Sequence, residues 1–417
     1  MKSYIISGGR PLFGEINISG SKNSAVAVLM ASLAVGDKVT LSGIPDISDV
    51  SDCISILKHL GCSVTLSERH TVNIDSSDAC LSDIPSEISA RMRASSYLMG
   101  AMLSRFGSCE GLSMGGCDFG SRPINYHLSA LEKLGARYEV SSNTLALYAP
   151  NGLKGSLIEF PRPTVGGTVN AIIAASRASG TTVIKGAARE PHISDLSEFL
   201  NACGADIRGF GTDRITVKGV KKLHGASFRI RSDMIEAGTY LSMGLATGGK
   251  VRCNNAPVSE LDAVINVLRC MGAVTETNGS SLTAYPEKLM RTYVRTAPYP
   301  EFPTDLHPQF TVLLSRASGT SVIDESIFEH RFRYLEPLSR FGIKTEVKDG
   351  ILLINGGTAL SPAVASCTDL RGGAALVSAA LCANGKSRID DIRYILRGYE
   401  DMPKKLTLLG ANIEECE

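Results

Sequence analysis

The chain has 417 residues, 43% of them hydrophobic and 20% charged. That length exceeds one ordinary core and points to two or three globular domains, not a disordered or coiled-coil chain. Lys+Arg 43 against Asp+Glu 42 leaves a formal charge of +1. So even a balance argues against a broad electrostatic grip on nucleic acid or on an anionic membrane. Aromatic residues make up 6% and tryptophan is absent, which leaves little for a base-stacking platform. The opening MKSYIISGGRPLFGEINISG lacks the apolar run of a signal peptide, and no segment approaches the roughly 20 apolar residues of a membrane span. The 11 cysteines are scattered without a CxxC, so reduced thiols in a cytoplasmic protein are expected, most of them small core residues.

The elements recur in chain order. SKNSAVAVLMASLAVG (21–36) is rich in Ala, Leu and Ser with little charge, the composition of a helix buried almost all round, and it ends at a glycine. A β-branched run, KVTLSGI, follows, then a second helical stretch closing in ILKHLGC at Gly61. The pair returns as RASSYLMGAMLSRFG with ALEKLGA (Gly135), and as TVNAIIAASRASG with TTVIKGA and FLNACGA (Gly204). It returns again as EAGTYLSMGLATG with VLRCMGA (Gly272), then DLHPQFTVLLSRASG with TSVIDES and PLSRFGI (Gly342). The last copy is LRGGAALVSAALCANG with LTLLGA (Gly410). The six glycines lie 68 to 74 residues apart, a repeat too regular for chance and too long for a solenoid. Three such α/β units per globule make two domains of about 200 residues, with helices inside and sheets outside. A TIM barrel would need eight units with the strands inside.

Candidate chemistry sits at the junctions of the repeat. The buried helices open on Lys22-Asn23, Arg93, Thr164-Val165-Gly166-Gly167, Asp233, Asp305 and Arg371. Helix N-termini favour anions, so a Lys or Arg there opposes the dipole unless an anion binds. Loops before the outer helices add Arg122, Arg189, Arg331 and Arg397. Guanidinium groups pair bidentately with carboxylate and phosphate. Each taken alone reads first as a solvated surface charge, and recurrence at equivalent positions shifts the reading towards a shared anionic site. Cys117 lies in the glycine-rich SMGGCDFGSRP, either an inert loop thiol or, beside a cation, an acid or nucleophile. His127 reads as a local hydrogen-bonder. No P-loop survives, because Ala380 stands where the first glycine belongs, and no GxGxxG opens a helix. No cofactor and no metal site are expected.

The ordered motifs SGSKNS, RMRASS, GGCDFGSRP, PTVGGTVN, AAREP, FPTDL, FEHRF, TDLRGGAAL and LRGYE cover essentially the whole chain. Together they resemble the UDP-N-acetylglucosamine enolpyruvyl transferases. The resemblance implies an α/β fold of two inside-out domains, each of three pseudo-repeated units with buried helices and outer sheets. One domain would span 22–231 and carry a catalytic loop at 113–123; the other would combine 1–21 with 232–417, the active site lying in the cleft between them. The implied reaction joins the enolpyruvyl group of phosphoenolpyruvate to the 3-hydroxyl of UDP-N-acetylglucosamine and releases phosphate, the first committed step of peptidoglycan synthesis.

By the same resemblance Cys117, Asp305, Lys22 and Arg397 are catalytic, with Asp305 the base and Cys117 the acid at C3. Lys22, Asn23, Arg122, Arg331, Arg371 and Arg397 would hold phosphoenolpyruvate. Arg93, Arg122, Pro123, Ile124, Asn125, Tyr126, Arg162, Pro163, Thr164, Val165, Asp305 and Ile327 would hold the nucleotide sugar. Fosfomycin would alkylate Cys117. Asn125, Arg162, Pro163, Thr164 and Met234 depart from residues common in the family and bear on the uridine side. The alternatives are a transferase like 5-enolpyruvylshikimate-3-phosphate synthase and a non-catalytic paralogue that binds UDP-sugars.

Overall fold

A computed structural model describes residues 2–81, 93–113, 124–141 and 144–417. The chain divides into two compact units: Gly20–Arg231, and Met1–Ser19 with Ser232–Glu417. Each has its own hydrophobic core.

The sheets explain where the division falls. In three places a strand, a buried helix and a parallel strand follow one another directly. These are Leu157–Thr164, Val165–Ala175 and Thr181–Ala187; Tyr293–Thr296, His307–Arg316 and Thr320–Glu325; and Val364–Ser366, Leu370–Cys382 and Lys386–Asp390. In two others the parallel partner comes from far along the chain. Ser227–Arg229 lies beside Lys38–Ser42, and Phe13–Asn17 beside Lys250–Asn254. Each unit therefore takes a strand from one of its own distant segments to finish a sheet. Ser21 belongs with the Gly20–Arg231 unit: its N–H donates to the Arg231 carbonyl and its hydroxyl caps the helix Lys22–Val35.

All five parallel pairs extend into two further antiparallel strands. Ser108–Ser113, Thr144–Tyr148 and Arg137–Ser141 form a three-stranded antiparallel sheet among the described residues. The strand that follows each buried helix alternates buried and partly exposed residues, as in Lys38–Ser42 and Lys250–Asn254, so one sheet face packs inward and the other meets solvent.

The helices inside are buried on every side, Ser24 to Val35 without exception in the first. Four of their serines solve a polar problem locally. The hydroxyls of Ser32, Ser176, Ser242 and Ser315 each donate to the carbonyl three residues earlier, at 2.6 to 2.7 Å.

The repeated glycine at the end of each outer helix also has a local cause. All six glycines adopt φ between 85° and 97°, where a side chain would be strained. At Gly61 the N–H donates to the Lys58 carbonyl and that of Cys62 to the Leu57 carbonyl; Gly135, Gly204 and Gly410 repeat both bonds. This closure satisfies two of the last carbonyls in each of these four outer helices. The buried helices obey the glycine rule less strictly. Gly36 and Gly107 are left-handed caps, whereas Val165–Ala175, Met234–Ala246, His307–Arg316 and Leu370–Cys382 end on Ser176, Thr247, Ala317 and Ala383, with the glycine further on.

Candidate active site

Asp305 sits in a 3-10 turn, Thr304–Leu306, that leads into His307–Arg316. Arg331 Nη2 donates to its Oδ1 at 3.1 Å, and Arg371 reaches Oδ2 through Nε at 3.2 Å and Nη2 at 3.1 Å. The arginine side chains are 2% and 5% exposed, that of Asp305 32%. Two buried cations thus share one half-open carboxylate. Arg371 is held against Leu370–Cys382 by its cap: Asp369 accepts from the N–H of Arg371 and of Gly372, both at 3.0 Å. Burial works against the Arg371 charge, but Tyr399, Asp305 and Asp233 raise its pKa. The guanidinium carbon lies 5.4 Å from the Tyr399 ring centroid, and the Tyr399 hydroxyl meets Thr239 and Gln309 at 2.9 Å each. Three buried helices are tied together beneath Arg371 in this way. Arg397 is half-buried at the end of the short helix Arg393–Leu396, on the segment that carries Tyr399.

In the other unit Lys22 opens its helix, and its Nζ lies 2.7 Å from Asp49 Oδ2, with the side chains 13% and 5% exposed. The cations expected to oppose helix dipoles are therefore compensated by carboxylates of the protein itself, Asp49 for Lys22 and Asp305 for Arg371. A buried cation without such a partner would be costly. Asn23 is exposed beside Lys22.

A second cluster in that unit gathers the residues expected at the nucleotide sugar. Tyr126 packs edge-on against Phe160 at 6.2 Å, and the Arg162 guanidinium lies 5.8 Å from the Tyr126 ring centroid. Thr164 caps Val165–Ala175 by accepting from the Gly167 N–H at 3.4 Å. Ile124 and Val165 are half-buried, Asn125 and Pro163 exposed. Beneath them lies His127, 2% exposed, whose Nδ1 is 2.8 Å from Asn170 Nδ2. A Cβ on Gly166 would stand 2.4 Å from the imidazole, which explains the glycine. Asn170 also donates to the Ser96 carbonyl at 2.9 Å and accepts from the Gly100 N–H at 2.7 Å. His127 is the expected hydrogen-bonder. Cys117, Arg122 and Pro123 lie outside the described residues, as does the Arg93 side chain.

Ile327 belongs to the unit of Asp305, where its N–H donates to Glu325 Oε1 at 2.9 Å. Glu325, His307, Asp49 and Asn170 are polar residues to which the sequence motifs assigned no role. Met234 is half-buried after Asp233, which caps Met234–Ala246 by accepting from Ile235 and Glu236 at 2.7 and 3.0 Å. Arg189 is exposed and donates to the Gly211 carbonyl.

Among the described residues no group of three His, Cys, Asp or Glu side chains is placed to hold a metal, and no helix is long and apolar enough to cross a membrane. Ten cysteines there are free thiols, six of them buried.

In sequence and in overall fold the chain is similar to known proteins. The chain is 43% identical over 414 residues to UDP-N-acetylglucosamine 1-carboxyvinyltransferase 3 of Caldanaerobacter subterraneus subsp. tengcongensis, covering 99% of both chains. The chain belongs to the UDP-N-acetylglucosamine 1-carboxyvinyltransferase family. Another relative with that family name, from Escherichia fergusonii, is 41% identical over 420 residues and matches end to end. A broader family model, described as EPSP synthase (3-phosphoshikimate 1-carboxyvinyltransferase), matches residues 6–406. The enolpyruvyl transferase NikO from Streptomyces tendae superposes with a TM-score of 0.90 at 24% identity, covering 100% of this chain and 99% of that one. An EPSP synthase from Acinetobacter baumannii gives 0.76 at 17% identity, with full coverage of both chains. The α/β fold of the enolpyruvyl transferases, which the resemblance implied, is the fold of these neighbours.

Proposed function

We propose that this chain transfers the enolpyruvyl group of phosphoenolpyruvate to the 3-hydroxyl of UDP-N-acetylglucosamine, releasing phosphate, at the first committed step of peptidoglycan synthesis. The observation that carries the reading is the pair of buried arginines on Asp305, in a chain whose full-length relatives bear the name of that reaction.

In the addition step Asp305 accepts the proton of the sugar hydroxyl as its oxygen bonds to C2, while Cys117 protonates C3. The tetrahedral adduct then loses the C3 proton and the C2–O bond to phosphate breaks. Arg331 and Arg371 do two things on this account. They neutralise Asp305 in the free protein, where a carboxylate between two cations is a poor base. When the anionic donor arrives it competes for their N–H groups, and Asp305 regains basicity at the moment it is needed. Lys22 and Arg397, with Arg122 and Asn23, complete the hold on phosphate and carboxylate. Lys22 would exchange Asp49 for the donor in the same manner. Arg93, Arg122 to Tyr126, Arg162 to Val165 and Ile327 contact the nucleotide sugar. Of this set, Lys22 and Asn23 lie in the Gly20–Arg231 unit, and Asp305, Arg331, Arg371 and Arg397 lie in the other.

The reading extends to fosfomycin. The Cys117 thiolate attacks an epoxide carbon, an S–C bond forms, the C–O bond opens and the alkoxide takes a proton. Phosphate release from phosphoenolpyruvate that depends on UDP-N-acetylglucosamine, with mass spectrometry of Cys117 after fosfomycin, tests both parts. Turnover with an unlabelled Cys117 would remove the inhibitor from the account.

A further inference from the structure

Behind Asp305 lies a carboxylate that the proposed chemistry does not use. Glu325 ends the strand Thr320–Glu325, and its side chain is fully buried, as is that of His307. Its Oε2 accepts from the Thr304 hydroxyl at 2.8 Å and faces His307 Nδ1 at 3.0 Å. Its Oε1 accepts from the N–H of Ile327 at 2.9 Å and of Phe328 at 3.1 Å. Four donors match the acceptor capacity of one carboxylate, which is what allows the charge to stay buried.

The four donors are not scattered. Thr304 and His307 flank Asp305, with Leu306 between, so Oε2 holds the Asp305 turn from both sides. Ile327 and Phe328 begin the segment that runs to Arg331, so Oε1 holds that segment at its origin. Arg331 closes the circuit by donating to the Thr304 carbonyl at 3.2 Å and to Asp305 Oδ1 at 3.1 Å. The His307 ring is fixed edge-on against Phe332 and Tyr334, both at 5.5 Å, just beyond Arg331.

We infer that Glu325 is a positioning residue that locks the Asp305 turn and the Ile327–Arg331 segment into one rigid piece, setting the base and its arginine in register for the reaction. This rests on the proposed enolpyruvyl transfer. A base displaced by about 1 Å loses on the order of a hundredfold in rate, so a purely packing role and a positioning role differ in what they do to turnover.

The experiment measures phosphate release at saturating phosphoenolpyruvate and UDP-N-acetylglucosamine for wild type, Glu325→Ala and Glu325→Gln, normalised to folded protein by circular dichroism. Absence of turnover in the wild type would overturn the proposed function itself. With an active wild type, Glu325→Ala lowers kcat by about a hundredfold with a smaller change in KM. Glu325→Gln, which keeps an acceptor toward Ile327 and Phe328 and the shape toward Thr304 and His307, recovers most of it. A folded Glu325→Ala with wild-type kcat overturns the inference, as does a Gln variant no better than Ala. Should Glu325→Ala not fold, Thr304→Val removes a single donor, and a fall of about tenfold in kcat is expected from one hydrogen bond to a charged group. Unchanged kcat in folded Thr304→Val would equally overturn it.

Discussion

Arg371 spends two N–H donors, Nε and Nη2, on a single oxygen of Asp305, at 3.2 and 3.1 Å. The arrangement is an anion site already occupied by the protein's own carboxylate. Asp305→Ala should therefore abolish turnover, by roughly 10²- to 10⁴-fold, the usual worth of a general base. It should also leave Arg331 and Arg371 seeking an anion. Inorganic phosphate should raise the melting temperature of Asp305→Ala more than that of wild type. Equal shifts in a thermal scan would show that the arginines are not the groups that receive phosphate.

The Lys22–Asp49 pair makes the same point in the other unit. Asp49 is 4% exposed and aims the ammonium through a 2.7 Å contact. Asp49→Ala should lower kcat/KM for phosphoenolpyruvate by about tenfold or more, since a charge-assisted bond that orients the cation is lost. Steady-state kinetics at fixed UDP-N-acetylglucosamine check this, and unaltered kcat/KM would remove Asp49 from the site.

Acid should weaken the unit that contains His307. Burial lowers the His307 pKa from its ordinary 6.5, the Arg331 charge adds to that, and Glu325 opposes both without reversing them. The unfolded chain then binds the proton more readily than the folded one. Stability present above pH 6.5 is lost as the pH falls from there toward the folded-state value. Glu325, also lowered because the bonds from His307, Thr304 and Ile327 outweigh its burial, contributes a further loss at more acid pH. Replacing His307 with Gln should flatten the decline in urea midpoint between pH 7 and pH 5. A parallel decline in both proteins would place the acid sensitivity elsewhere.

Asn170 joins three elements of its unit through Ser96, Gly100 and His127. Asn170→Ala strands a buried N–H and a buried carbonyl, which costs about 2–4 kcal/mol. Urea unfolding should show a lower midpoint at an unchanged slope, and an unshifted midpoint would contradict the assigned bonds.

The parts of the fold legible in the sequence are those with local causes. A helix with little charge must be buried, and a helix end at glycine closes with a left-handed residue, so six copies of each outlined the architecture. Asp305, Arg331 and Arg371 were legible as types at junctions, because a cation at a helix start is anomalous. Their mutual pairing was not, since 66 residues separate Asp305 from Arg371. Asp49 and Glu325 escaped notice for a related reason. A carboxylate in an outer helix or at a strand end looks ordinary until the fold sets Lys22 or His307 against it. Asn170, in an apolar helical run, gave no sign of serving a histidine 43 positions earlier.

The most direct measurement follows phosphate released from phosphoenolpyruvate by the purified protein, with UDP-N-acetylglucosamine or shikimate 3-phosphate as the acceptor. Release with the nucleotide sugar alone, accompanied by a product heavier by one enolpyruvyl group, is the predicted result. Binding of the nucleotide sugar without release, or release only with shikimate 3-phosphate, would contradict it.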